Sequence, residues 1–250
     1  MGLVEGATEF LPISSTGHLI IASKLLGIID SPFLKSFEII IQLGSILAVL
    51  FLYGSVLLRN WELTKRVAVA FLPTAFIGLL FYPIIKGYLL GNTLVVGLAL
   101  IVGGVLMLLF EKWYRPERAT MSAGHELTYK NAGVIGLWQS LAVIPGVSRS
   151  AATSIGGMVL GLDRKATVEF SFLLALPTIA AATALDILKN YQTILSGGNA
   201  LLLLVGFLAA FASAMLTIRW FLHHVQTRTF REFGWYRIIV GLLFLFFFLK

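Results

Sequence analysis

Long apolar runs, broken at intervals by short polar clusters, set the pattern of this chain. Six runs are long enough to cross a bilayer, near residues 37–58, 67–85, 92–110, 166–188, 200–222 and 234–249. A hydrocarbon core roughly 30 Å thick takes about 20 helical residues. Polar and apolar residues do not alternate at period two, which argues against a β-barrel. Two further apolar regions are interrupted at their centres. Residues 3–11 and 18–29 flank one polar loop, and residues 131–144 and 151–162 flank another. Each half is too short to cross alone, so each region is expected to form a re-entrant helix hairpin. Irregular backbone at membrane depth is tolerated only where protein or a water-filled cavity surrounds it. The fold class expected is therefore an all-α polytopic membrane protein, with six transmembrane helices and two re-entrant helix hairpins.

The two hairpins head two halves that repeat one another. Leu11-Pro12-Ile13-Ser14-Ser15-Thr16, Gly27 and Phe37-Glu38 have counterparts in Ile144-Pro145-Gly146-Val147-Ser148-Arg149-Ser150, Gly161 and Val168-Glu169. Each hairpin is followed by three spans. Three is odd, so the second half enters from the opposite face and the repeat is expected to be inverted. One integral membrane domain over 1–250 is expected, with repeat one at about 1–110 and repeat two at about 131–250. No separate soluble domain is expected, and the polar 111–130 stretch reads as a solvated connection.

Composition agrees with the pattern. Mean hydropathy is +0.91, with 58% hydrophobic and 12% charged residues, far from soluble usage. No basic segment precedes the first apolar run and the first lysine is Lys24, so no cleavable signal is expected. The absence of cysteine removes disulfides and thiolate chemistry. The net charge of +7 does not imply nucleic acid, because the basic residues lie in short inter-span loops. Grouping the 59–66, 111–130, 163–165 and 223–237 loops on one side gives that side twelve Lys and Arg against five. That side is expected to be cytoplasmic. The 5–18 hairpin then opens outward and the Arg149 hairpin inward.

The polar loops hold the candidate chemistry. Glu5 and Glu9 are four apart and share a helix face. Two such carboxylates in an apolar setting repel, and a divalent cation with a taste for oxygen, Mg²⁺ or Ca²⁺, would relieve them; solvation at an exposed helix end is the plainer alternative. Ser14, Ser15 and Thr16 stand where they can cap a half-helix, whose free N–H groups suit an anion. Ser148 and Ser150 stand likewise before a second half-helix, with Thr153 one turn in. Arg149, inside a membrane-depth loop, needs a partner: phosphate oxygens, or a fixed ion pair with Glu9, Glu169 or Glu38. His18 lies one turn after Ser15, close enough for the two side chains to approach, and can exchange a proton near neutral pH. His125, His223 and His224 are expected in polar loops and carry no assigned role. Asp186 and Arg219 sit near span ends, where snorkelling explains them.

Glu5-Gly-Ala-Thr-Glu9-Phe-Leu-Pro-Ile-Ser-Ser-Thr-Gly-His18, Phe37-Glu-Ile-Ile-Ile-Gln-Leu-Gly-Ser, Pro145-Gly-Val-Ser-Arg-Ser-Ala-Ala-Thr153 and Glu169-Phe-Ser-Phe-Leu-Leu-Ala-Leu-Pro177 resemble the undecaprenyl-diphosphatase (bacitracin-resistance) family of bacterial inner-membrane proteins. The resemblance implies hydrolysis of undecaprenyl diphosphate to undecaprenyl phosphate on the outer face, recycling the lipid carrier of cell-wall synthesis. It implies catalytic roles for Glu9, Ser15, His18 and Arg149, with Ser15 or His18 as nucleophile. It implies substrate contacts from Ser14, Thr16, Ser148, Ser150 and Thr153, and a divalent metal on Glu5 and Glu9. Only four residues precede Glu5, fewer than in that family, so the first half-helix is expected to be short. The partners implied are a polyprenyl diphosphate lipid and the bilayer; a homodimer is compatible with the sequence. A transporter or flippase for a phosphorylated lipid is the competing reading, since inverted repeats are transport architecture. A carrier has no need for two glutamates, a serine and a histidine gathered together, which favours the enzyme.

Overall fold

The computed structural model describes residues 1–89, 92–115, 127–195 and 200–248. All regular structure among them is helical. Helices α1 (Gly2–Thr8) and α2 (Ser15–Leu25) form the first hairpin. They are followed by α3 (Pro32–Arg59), α4 (Trp61–Leu80), a one-turn α5 (Tyr82–Ile84) with a π-turn over Ile85–Leu89, and α6 (Thr93–Trp113). The second half has α7 (Tyr129–Ser140), α8 (Arg149–Val159), α9 (Arg164–Leu195), α10 (Ala200–Thr227) and α11 (Arg231–Phe248). Among the described residues, five helices, α3, α4, α6, α9 and α10, are long and apolar enough to cross a membrane, with mean window hydropathies of 1.5 to 2.7. The chain is a multi-pass membrane protein. The sixth expected span coincides with α11, whose 18 residues include Arg231, Glu232 and Arg237.

Local chemistry explains where these helices begin. Ser31 precedes Pro32 and accepts the Leu34 N–H at 3.1 Å; Asn60 caps α4 through Leu63 N at 3.0 Å; Asp163 caps α9 through Ala166 N at 2.8 Å. Each satisfies an N–H that the first turn leaves without a partner. Apolar side chains such as Leu58, Phe51, Leu201 and Phe246 point outward, as lipid-facing positions do.

The likeness of the halves extends to backbone detail. Helices α2 and α8 each have eleven residues and follow a serine of positive φ, Ser14 at 72° and Ser148 at 74°. Each ends on a left-handed glycine, Gly27 (φ 64°) or Gly161 (φ 94°). In both, the amide after that glycine reaches back five residues, Ile28 N to Ser23 O at 2.9 Å and Leu162 N to Gly157 O at 3.1 Å. This is the Schellman ending. Packing is exchanged between halves: α1 lies on α10, and its counterpart α7 lies on α4. Both crossings are close. A Cβ on Gly6 would strike the Ala210 carbonyl, and one on Gly136 the Ala70 carbonyl. Helices α3 and α9 pack on each other, as do α6 and α11.

Three expectations about charge change. Arg237, placed by the sequence in a loop, lies within α11 and is fully buried; one positive charge leaves the cytoplasmic tally, which still favours that side. His223 and His224 are helical, in α10, with His224 3.6 Å from Glu232. Asp186 is buried rather than snorkelled, and accepts from Asn190 Nδ2 at 2.6 Å beside a kink in α9. Arg118, His125 and Lys250 lie outside the described residues. The 111–130 stretch read as a solvated connection includes Leu127, which is buried in the core.

Candidate active site

The two hairpin loops meet. Ser150 donates its hydroxyl to the Phe10 carbonyl at 2.7 Å, and Ser148 reaches the Leu11 carbonyl at 3.5 Å. These bonds bring the end of α1 against the start of α8, residues about 140 apart in the chain. Pro145 and Gly146 occupy the centre of a turn closed by Val147 N to Ile144 O at 3.2 Å. Gly146, at φ 96°, supplies the left-handed step that such a turn demands.

Across this junction runs a chain of three side chains. Ser15 donates its hydroxyl to Glu9 Oε2. Glu9 Oε1 lies 3.3 Å from Arg149 Nη2. Arg149 Nη1 donates to the Ser171 carbonyl on α9 at 2.8 Å, and its Cζ stands 6.0 Å from the Phe10 ring. Of the three carboxylates expected as partners for Arg149, Glu9 is the one it meets. Glu169 instead faces Tyr53 at 3.5 Å and Lys165 at 3.9 Å. The pair is almost dry, with side chains 10% and 8% exposed. Buried charges this close need hydrogen bonds on their remaining atoms; Arg149 Nη1 has one, to the Ser171 carbonyl.

Two groups in this cluster are left without partners. Neither carboxylate oxygen of Glu5, fully buried on α1, accepts a hydrogen bond, and Arg149 Nε donates to nothing. Orphaned buried groups are rare and costly. Here they are one donor and one carboxylate, suited to a phosphate oxygen and to a cation. A hard divalent ion bound by one or two carboxylates completes its shell with water and phosphate oxygens, so Glu5 and Glu9 fit such an ion even though no cluster of three or more His, Asp or Glu occurs among the described residues.

The hydroxyls divide into two sets. Ser148 caps α8 by accepting the Ala151 N–H at 3.2 Å. Thr153 is buried, bonded to the Arg149 carbonyl at 2.9 Å and to Ser171 Oγ at 2.5 Å. With Ser150 on Phe10, the second loop's hydroxyls are engaged by the protein. Ser14 makes no capping bond at the start of α2, and Thr16 is half-buried in its first turn. No side chain caps the first amides of α2, an arrangement that suits an anion.

His18 does not join Ser15. Its Nδ1 lies 2.8 Å from the Ser14 carbonyl and its Nε2 2.7 Å from the Tyr236 hydroxyl. Spacing brought His18 near Ser15, but ring orientation was decided by α11, which the spacing could not see.

Sequence reasoning also missed Arg237. Its Nη1 donates to Pro12 O at 3.1 Å and Val147 O at 2.9 Å, its Nη2 to Ala99 O at 3.1 Å and Gly146 O at 3.0 Å, and its Nε to Leu100 O at 3.4 Å. One side chain ties both loops to α6. The signal was available: Arg237 is followed by twelve uncharged apolar or glycine residues, the same intramembrane-charge argument that singled out Arg149.

Comparison with known proteins matches the chain over nearly its whole length. The family described as bacitracin resistance protein BacA matches residues 1–243. An undecaprenyl-diphosphatase of Aquifex aeolicus is 50% identical, covering 100% of this chain and 96% of its own. Undecaprenyl-diphosphatases of Persephonella marina and Thermus thermophilus are each 49% identical, covering 99% and 100% of this chain and 96% of their own.

Proposed function

We infer that this chain, which belongs to the bacitracin resistance protein BacA family, hydrolyses undecaprenyl diphosphate to undecaprenyl phosphate and inorganic phosphate. The observation that carries the reading is the buried chain from Ser15 through Glu9 to Arg149, which spans two loops from opposite halves. It gathers an oxygen nucleophile, a carboxylate to take its proton and a fork-shaped cation at one point.

In the proposed reaction the terminal phosphate lies between the open start of α2 and Arg149. Ser15 Oγ attacks its phosphorus while Glu9 Oε2 takes the hydroxyl proton. The bridging P–O bond breaks and lipid monophosphate leaves; water then cleaves the serine phosphate to release inorganic phosphate. Arg149 Nε–H, orphaned in the free site, pairs with the charge that grows on the non-bridging oxygens. Glu5 and Glu9 would hold a divalent ion, Mg²⁺ or Ca²⁺, which when bound supplies charge neutralisation on the diphosphate. Were both carboxylates ionised beside the one guanidinium, the cluster would repel a diphosphate, and such an ion would offset that.

The fold proposed around this site has six spans, α11 being the sixth, and two re-entrant hairpins in an inverted repeat. The matched backbone of α2 and α8 and the exchanged packing of α1 and α7 support it. The remaining basic loop residues favour a cytoplasmic side opposite the 5–18 loop, so the site opens outward from the bacterial inner membrane. The recycled lipid carrier links the activity to cell-wall synthesis and bacitracin resistance.

The test is phosphate release from a prenyl diphosphate by purified protein, with and without chelator. Arg149→Ala and Glu9→Ala are each expected to lose at least about a hundredfold in kcat/KM through lost charge stabilisation. Wild-type turnover in both variants, with lipid movement across liposomes abolished, would replace the hydrolase by a carrier.

A further inference from the structure

The Tyr236–His18 contact joins α11 to the first turns of α2, residues 218 apart in the chain. The two rings are stacked, 5.5 Å between centroids and 4° from parallel, while the phenol oxygen meets Nε2 at 2.7 Å. On the other side of the imidazole, Nδ1 is 2.8 Å from the Ser14 carbonyl. A carbonyl only accepts, so Nδ1 carries the hydrogen. In the neutral ring Nε2 is then the lone-pair nitrogen, and Tyr236 donates its O–H to it. A flip of the imidazole would break both bonds, and the stack resists rotation.

Both anchors are themselves held. Ser14 has the left-handed φ of 72° that turns its carbonyl toward the ring. The residue after Tyr236 is Arg237, buried and bonded to five carbonyls, which fixes the backbone of α11 at this point.

We propose that Tyr236 is a positioning residue for the hydrolase reaction: it fixes the tautomer and plane of His18, so that the basic nitrogen is Nε2 and faces the tyrosine side of the site. The proposal rests on the hydrolase reading above and adds His18 to it as a general acid–base group, a role that contributes roughly a hundredfold or more. Partners that orient a functional histidine act through it, and their loss costs about tenfold or more.

Tyr236→Phe retains the stacked ring and removes only the hydroxyl of a residue that is 42% exposed, so the variant is expected to fold. Phosphate release should show kcat lowered about tenfold with KM changed less than about twofold. In a His18→Gln background the same substitution should cost nothing further, because two residues acting as one unit are not additive. A full tenfold loss in that background would overturn the proposal and assign Tyr236 a role independent of His18; wild-type kcat in Tyr236→Phe would overturn it outright. Wild-type turnover in His18→Gln, with Ser15→Ala inactive, would remove His18 from the chemistry and this proposal with it, leaving the Ser15–Glu9–Arg149 reading intact. A second readout is ¹⁵N NMR of a chain carrying His125→Gln, His223→Gln and His224→Gln. His18 should show a protonated Nδ1 and an unprotonated Nε2, and the opposite tautomer overturns the assignment.

Discussion

Replacing Arg237 by methionine keeps an unbranched apolar stem and removes all five donors. Two of the five acceptors, Ala99 O and Leu100 O, belong to α6, where the helix already uses them. The other three, Pro12 O, Gly146 O and Val147 O, lie in the two loops and lose their donor. A buried polar group left unpaired costs about 1–3 kcal/mol, so three cost about 3–9 kcal/mol. Removal of a buried charge offsets part of that. The remainder is still a large share of the 5–15 kcal/mol typical of a whole domain. Arg237→Lys should fall between, since three donors on one nitrogen cannot span acceptors on two loops and a helix. The assay is thermal unfolding in detergent followed by tryptophan fluorescence, paired with phosphate release per folded molecule. Arg237→Met should unfold at markedly lower temperature, and the folded fraction of Arg237→Lys should turn over at least about tenfold more slowly, because Glu9 and Arg149 are then no longer held in register. Wild-type midpoint and wild-type turnover in both variants would refute the argument that this side chain sets the distance between the loops.

Other expectations follow from the same geometry. Glu5→Gln removes a buried carboxylate that has no partner; it should match or exceed wild-type stability yet lose at least about tenfold in phosphate release and respond less to added Mg²⁺, as sites that trade stability for function do. Ser14→Gly relieves a positive φ at a residue with no capping bond, and should raise the unfolding midpoint by about 1 kcal/mol equivalent. Ser148→Gly should gain less, since it forfeits the cap on Ala151 N. Glu111→Gln breaks a buried pair in which both carboxylate oxygens sit 2.9 Å from Arg164 Nη2 and one accepts Phe230 N. Chemical unfolding should show a loss of about 3 kcal/mol, with turnover per folded molecule preserved because none of those contacts touches Glu9 or Arg149.

Much of this was legible in the residues. Apolar run lengths gave the helical class and the long spans, and Pro12 and Pro145 marked the two interruptions. The cost of an intramembrane guanidinium pointed to Arg149 needing a partner, either phosphate oxygens or one of three acids, and of those acids it meets Glu9. The misplacements share one cause. Hydropathy measures a window, so it cannot tell whether a charge at the end of an apolar run, as at Arg237, faces water or turns inward; that depends on carbonyls supplied by loops 90 and 225 residues away in sequence. His18 shows the same limit. Helical spacing placed it near Ser15, while Tyr236, contributed by the last helix, decided which way its ring faces.

The paired serines of left-handed backbone carry one more consequence. Twin segments that match in length, entry angle and glycine ending differ in a single engagement: Ser148 closes its own helix start, and Ser14 leaves its helix start open. A molecule built from two alike halves would be expected to offer two equivalent receptor mouths, one toward each leaflet. On the proposed reading the second mouth is retired into scaffolding, and the expected stoichiometry is one headgroup per chain, taken from one side.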